Sequence, residues 1–273
     1  MNLKLNPTVV MTMIIPLLGM PMALSSVAAE GDKAVEHSST AAKALRLMRA
    51  SQLIGKNVEN ARGENLGEIK DLVIDVNNER VFYAILEFGG FLGMGEKLFA
   101  YPVRYFGQTS AESDKLVLNV DKEKLKAAPG FKRNSWPDWL TYGKQVDKYY
   151  GETVKLKPSP NQKLVRASEL IGKNVNDRAG KDMGEIDDMV LNMNSGKIHY
   201  AVLEFDQSWN LKDKLISLPL RSFNYVSSDK DLILNIDKEA IDTKRAYQKD
   251  RWPEINDQNY RVETDRYLGT LPK

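Results

Sequence analysis

Two blocks of alternating apolar and polar residues dominate the chain. In the first, Leu72, Ile74 and Val76 alternate with Asp71 and Asp75; Asn77-Asn78-Glu79 follows, and residues 81–88 are β-branched and aromatic. A period of two on either side of an Asn-rich break predicts a β-hairpin. The second block repeats it, with residues 183–193, a turn at Asn194-Ser195-Gly196, and residues 198–205. Shorter apolar runs at 97–101, 116–120, 214–218 and 232–236 read as further strands. Short strands separated by Gly, Asn and Asp predict an antiparallel barrel or sandwich. Asp121 is placed to cap a helical turn over residues 122–126, and residues 41–48 suit another. Near the end of each block stands a Trp-Pro pair, Trp136-Pro137 and Trp252-Pro253. Proline holds the residue before it extended, so each block is expected to end in an extended tail. Trp136, Trp139 and Trp252 are the expected anchors of these tails over a barrel end.

The two blocks are copies. RASQLIGKNV at 49–58 matches RASELIGKNV at 166–175 in nine of ten positions, and about 24 of 54 positions agree up to Pro102 and Pro219. The offset is 117, falling to 116 where Leu118-Asn119-Val120-Asp121 faces Leu234-Asn235-Ile236-Asp237. Two copies of this size predict a tandem of globular modules, not a solenoid. The expected layout is a signal peptide at 1–29, a lead-in at 30–47, one repeat with its tail at 48–153, a Pro-containing linker at 154–163, and a second repeat with its tail at 164–273. Similar copies can pack about a pseudo-twofold axis, as the subunits of a dimer do.

Lys4, an apolar run at 9–24 broken by Pro16 and Pro21, and Ser26-Val27-Ala28-Ala29 have the form of a cleaved secretory signal. The run falls short of the ~20 residues a spanning helix needs. A periplasmic or secreted product with no integral membrane span is therefore expected. Composition narrows the chemistry. The 273 residues carry 39 Lys+Arg against 37 Asp+Glu, so no broad positive surface suits nucleic acid. The absence of Cys excludes thiolate metal sites and thiol nucleophiles, and two His leave no room for a His-rich metal centre.

Gly67-Glu68-Ile69-Lys70-Asp71, the strand Ala84-Ile85-Leu86-Glu87-Phe88, and the loop GGFLGMGEK at 89–97 leading to Pro102 resemble the PRC-barrel family. The resemblance extends over residues 49–121 and, with Asp206-Gln207-Ser208-Trp209-Asn210-Leu211 replacing the Gly-rich loop, over 166–237. It implies a mainly β fold of two tandem small antiparallel β-barrels, each with a short helix and an extended Trp-Pro tail. It implies an assembly or interaction role with no shared catalytic machinery and no cofactor.

The remaining candidates are weighed on their own chemistry. The Gly-rich loop lacks the Lys of a Walker motif and the third Gly of a dinucleotide fingerprint. Phe91, Leu92 and Met94 at its tip, and Trp209 at the matching place in the second repeat, are the expected contacts to a protein partner or to the sister barrel. Glu68, Asp71 and Glu87 recur as Glu185, Asp188 and Glu204. Paired carboxylates can hydrolyse glycosides, and with Trp136, Trp139 and Trp252 they support an alternative as a polysaccharide or small-ligand binder or hydrolase. Turn hydrogen bonds and pairing with Lys97, Lys214, Arg104 and Arg221 are the expected role of these carboxylates. Asp187-Asp188 with Asn192-x-Asn194-x-Gly196 lacks the terminal Glu of an EF-hand, and neither His37 nor His199 has an evident nucleophile partner. The expected function is a non-catalytic binding or scaffolding module of the bacterial envelope, with homo-oligomerisation open.

Overall fold

The computed structural model describes residues 46–88, 97–108, 115–151, 163–206, 209–211, 213–227 and 230–272. The first repeat runs β1 (Leu47–Arg49), a short helix (Ala50–Leu53), β2 (Asn57–Glu59), β3 (Asn65–Asp75), β4 (Arg80–Phe88), β5 (Lys97–Pro102), β6 (Phe106–Gln108), β7 (Leu116–Leu118), a helix (Lys122–Ala127) and β8 (Phe131–Lys132), then a tail helix (Trp139–Tyr150). The second runs β9 (Leu164–Arg166), a helix (Ala167–Leu170), β10 (Asn174–Asn176), β11 (Asp182–Asn192), β12 (Ile198–Phe205), β13 (Lys214–Leu218), β14 (Phe223–Asn224), β15 (Leu232–Leu234) and β16 (Tyr247–Gln248), then a tail helix (Gln258–Thr270). The predicted hairpins are β3–β4 and β11–β12. Their turns are tied by a buried Asx side chain in each copy: Asp75 Oδ1 accepts the amides of Asn77 and Asn78 at 3.1 Å each, and Asn192 Oδ1 those of Asn194 and Ser195 at 2.8 and 3.1 Å.

Each repeat forms a curved sheet in the order β6-β7-β2-β3-β4-β5-β8 and β14-β15-β10-β11-β12-β13-β16. The pairing is antiparallel except at β2–β7 and β10–β15, which are parallel. The eighth strand of each sheet comes from the other repeat. β1 pairs with β11, Leu47 opposite Asn192 and Arg49 opposite Val190; β9 pairs with β3, Leu164 opposite Asp75 and Arg166 opposite Val73. The fold is thus a reciprocal exchange of N-terminal strands between two barrels, and each barrel is completed by the other repeat's first residues.

The two hairpins meet where the repeats are related. Arg80 forms an antiparallel bridge with Lys197, its own equivalent, flanked by Val81 N–H to Gly196 O and Ile198 N–H to Glu79 O, both 2.8 Å. A bridge between equivalent residues with equivalent bonds on either side places a pseudo-twofold axis between Arg80 and Lys197. Gly196 is required there: its φ is +71° and a Cβ would lie 2.7 Å from Val81 O. One contiguous apolar cluster runs through both barrels, from Leu47, Leu53, Leu72 and Ile74 to Met189, Leu191, Leu203 and Leu234.

Three expectations need correction. Leu47 and Met48 lie in a strand and not in a helical turn, because β11 offers them an edge; residues 41–45 lie outside the described residues. The tails are extended only around Trp-Pro and then become helices of 12 and 13 residues, whose N-cap Asp138 and Asp257 side chains accept from Leu140 N–H and Tyr260 N–H. In the first repeat that helix covers a sheet face, not a barrel end. Val73, Tyr83, Ile85, Leu98 and Ala100 point opposite to the Leu72–Ile74 face and pack under Trp139, Tyr142 and Val146. The short helix after β7 is present and Asp121 caps it through Glu123 N–H, whereas the second copy narrows to a 3-10 turn over Lys238–Ala240 without a side-chain cap.

Candidate functional site

The recurring aspartates sit where the repeats join. The β3–β4 and β11–β12 pairings shift register between Ile69 and Asp71 and between Ile186 and Asp188, a β-bulge in each copy. Both aspartates are buried. Asp71 Oδ1 accepts from Leu72 N–H at 2.8 Å and Ser168 N–H at 3.2 Å, and Oδ2 from the Ser168 hydroxyl at 2.5 Å. Asp188 repeats this with Met189 N–H at 2.8 Å, Ser51 N–H at 3.1 Å and the Ser51 hydroxyl at 2.5 Å. Each carboxylate therefore holds the first turn of the helix that follows the exchanged strand, where backbone donors lack intrahelical partners. Burial raises the pKa of Asp188 against the opposing pull of the Ser51 bonds, the Met189 amide and the Arg49 charge.

This gives a stability prediction. Asp188→Ala strips three donors of their acceptor and costs about 2–3 kcal/mol. Asp188→Asn keeps an amide oxygen for the two backbone donors and loses less. Because the folded carboxyl holds its proton to higher pH than the unfolded one (~3.9), the wild type gains stability as pH falls through the folded pKa toward that value. Its advantage over Asp188→Asn therefore widens on acidification, as urea midpoints at neutral and acid pH will show.

The tails close over the exchanged strands. The Arg49 guanidinium lies 4.5 Å from the Trp252 ring centre, and Arg166 lies 4.7 Å from that of Trp136. Each arginine comes from one repeat and each tryptophan from the tail of the other, an arrangement worth ~0.5–2 kcal/mol per pair. The first strand has one further clasp: Asn256 Oδ1 accepts Leu47 N–H and Asn256 Nδ2 donates to Leu47 O, both at 3.0 Å. Leu140 stands at the equivalent place in the first repeat and has no such amide.

Three of the other four recurring carboxylates, Glu68, Glu87 and Glu204, are paired, with partners that differ from those expected, whereas Glu185 lines an open depression. Glu87 pairs with Lys70 at 2.8 Å and with Arg133, and Glu68 with Lys70. Burial alone would raise the Glu87 pKa, but Lys70 and Arg133 hold it below the usual range. In the second repeat Asp187 stands in place of Lys70, and Lys249 serves both Asp187 at 2.9 Å and Glu204 at 2.5 Å. Those two acids raise the Lys249 pKa. Arg221 reaches across the axis to Glu79 at 3.6 Å. Lys97 and Arg104 instead lie over the rings of Phe99 and Tyr105. His199 faces Asp265 of the tail helix at 4.0 Å.

The aromatic candidates separate. Trp139 is buried and stacks on Tyr83 at 6.4 Å; Trp136 is half-buried against Phe131 at 5.3 Å; Trp252 is half-buried against Tyr247 at 5.5 Å. Trp209 is 9% exposed, lies 4.9 Å from Phe205 and carries Lys238 Nζ 4.1 Å from its ring centre. It belongs to the shared apolar cluster and presents little surface outward. Phe91, Leu92 and Met94 lie outside the described residues. An open depression of about 300 Å³ is lined by Asn174, Asp182, Glu185, Glu204, Asp206 and Asp213 among others, and none of the four tryptophans lines it. Among the described residues no group of acidic or His side chains is arranged to hold a metal ion, and no helix is long and apolar enough to cross a membrane.

The model of the PRC-barrel domain matches the chain twice, at residues 46–125 and 163–241, together more than half of its length. The chain belongs to the PRC-barrel family. Both matched segments start at the exchanged strands and stop short of the tail helices. The unit of PRC-barrel sequence is thus not the unit of folding here, since the first strand of each matched segment lies in the other barrel. No curated protein matches the chain.

Proposed function

We propose that this PRC-barrel protein is a non-catalytic scaffold of the bacterial envelope, in which the fused pair of barrels offers loop apolar residues to a protein partner. One observation carries the preference over a hydrolase: Asp71, Asp188, Glu87 and Glu204 are all engaged in holding the two barrels together or in ion pairs within one barrel. A general acid and base need carboxylates that converge on substrate, and the tryptophans that would form a sugar platform are packed against their own barrels or stacked by arginine. The signal-like pattern of residues 1–29, with Lys4, the apolar run and the small residues at 26–29, supports export. The loop residues Phe91, Leu92 and Met94 are the proposed contact, without Trp209.

Phe91→Ser with Leu92→Ser is expected to leave the unfolding midpoint within a few degrees of wild type and to remove captured proteins from a pull-down of native envelope extract. Capture of the same proteins at the same yield would contradict the proposal. Hydrolysis of envelope polysaccharide by the purified protein would favour the alternative.

A further inference from the structure

The exchanged segments are the most similar part of the two repeats. RASQLIGKNV and RASELIGKNV differ only at Gln52 and Glu169. Their contacts are the same in kind: Arg49 and Arg166 stack on tail tryptophans, and Ser51 and Ser168 bind Asp188 and Asp71 through both N–H and hydroxyl. Each groove reads main-chain groups along a strand edge and a few identical side chains, a form of recognition that does not depend on which chain supplies the strand.

Selection operates instead at the axis. There Glu79 and Gly196 hold equivalent places, opposite Ile198 and Val81, and Glu79 Oε1 accepts Arg221 N–H at 3.1 Å. A dimer that paired like repeats would have to join two second repeats as well as two first repeats. Two second repeats would lose the Glu79 carboxylate that Arg221 meets. The geometry therefore fits a first repeat to a second repeat.

We infer that the exchange groove is a self-recognition site whose partner is a second copy of this chain, the first repeat of each copy exchanging strands with the second repeat of the other. The product is a closed dimer of two barrel pairs, with every strand pairing, Asp–Ser contact and Arg–Trp stack of the single chain reproduced. The inference rests on the strand geometry and is independent of the loop contact proposed above.

Only the tether favours the single-chain form. Residues 152–162 join the repeats and give each an effective concentration in the millimolar range for its sister. Refolding at concentration c should then place roughly c divided by ~1 mM of the chains in the exchanged dimer: about a hundredth at ~10 μM and about a tenth at ~100 μM. Return to monomer requires pulling out both exchanged segments, so the dimer persists on dilution.

The chain has no Cys, so an engineered pair reports connectivity cleanly. Met48 stands opposite Leu191 across the exchange. Full-length Met48→Cys/Leu191→Cys protein is made with two different tags, unfolded together, refolded over a concentration series, oxidised and run on a denaturing gel. The expected result is a disulfide-linked dimer carrying both tags, rising about tenfold from ~10 to ~100 μM and absent when the proteins are mixed after refolding. Wild-type protein refolded in parallel should show the same fraction at twice the monomer mass by light scattering. This second readout stands if the cysteine variant does not fold. Disulfides confined to monomers at every concentration, a dimer whose disulfides stay within one chain, or wild-type protein that is monomeric throughout would each overturn the inference.

Discussion

Removing Arg46 to Leu53 unfolds a barrel whose own strands begin at Asn174. The deleted segment contributes β1 to β11, the Ser51 donors to Asp188 and the Arg49 stack on Trp252. It also takes Leu47, Met48, Ala50 and Leu53 out of the shared core, where all are buried. Three large apolar side chains at ~1.5–3 kcal/mol each give a loss of about 4.5–9 kcal/mol before any hydrogen bond is counted. That equals much of the 5–15 kcal/mol a domain typically has. The expected outcome is a collapse of the second barrel: its aromatic near-UV signal at Trp209 and Trp252 disappears, while Trp136 and Trp139 over the first barrel keep much of theirs. Retention of a single cooperative transition at the wild-type midpoint would show that the segment is not part of the second barrel.

Gly67→Ala is expected to be as severe, for a different reason. Gly67 has φ +108°, and a Cβ built there lies 1.8 Å from Glu87 O. The equivalent Gly184 has φ +126° and a Cβ 1.8 Å from Glu204 O. Backbone cannot yield as a side-chain tip can, so the methyl forces β3 away from β4 at the point where Glu68 faces Glu87. The methyl also needs a φ that L-residues rarely adopt. A loss above about 4 kcal/mol belongs to this kind of strain, whereas an ordinary Gly→Ala change in a strand is small or favourable. Urea unfolding of Gly67→Ala and Gly184→Ala should show both losses, with Gly63→Ala as the comparison. Gly63 also has positive φ, but its Cβ would meet nothing within 4 Å.

What the sequence disclosed was whatever is encoded over short range. Alternation placed β3–β4 and β11–β12 within a residue or two, and the repeated Asn-rich turns marked their ends. The exchange was hidden by the same duplication that revealed the repeats. Because the segment around Ser51 and the segment around Ser168 are nearly identical, pairing with the own barrel or with the other creates the same local environments. Periodicity cannot choose between them. Asp71 and Asp188 were singled out as recurring, but their role as acceptors for the sister repeat's helix depends on contacts 97 and 137 residues away in sequence. The tail helices had a signal that the Trp-Pro pairs obscured: Trp139, Tyr142 and Val146 recur at helical spacing behind Asp138, a good N-cap. The packing of Trp209 against Phe205 and under Lys238 is not legible from its alignment with the loop that holds Phe91 and Leu92, because Lys238 comes from a later part of the chain.

The central claim is that each repeat's first strand belongs to the other barrel, and amide hydrogen exchange on Ser51→Pro tests it most directly. Proline at that position removes the N–H that Asp188 accepts and should disturb the short helix and the strand before it. The account predicts that protection falls by an order of magnitude or more in residues 188–193 of β11 and in the tail around Trp252, while residues 71–76 of β3 keep their wild-type rates. Faster exchange confined to β3 and the first repeat, with 188–193 unchanged, would contradict it.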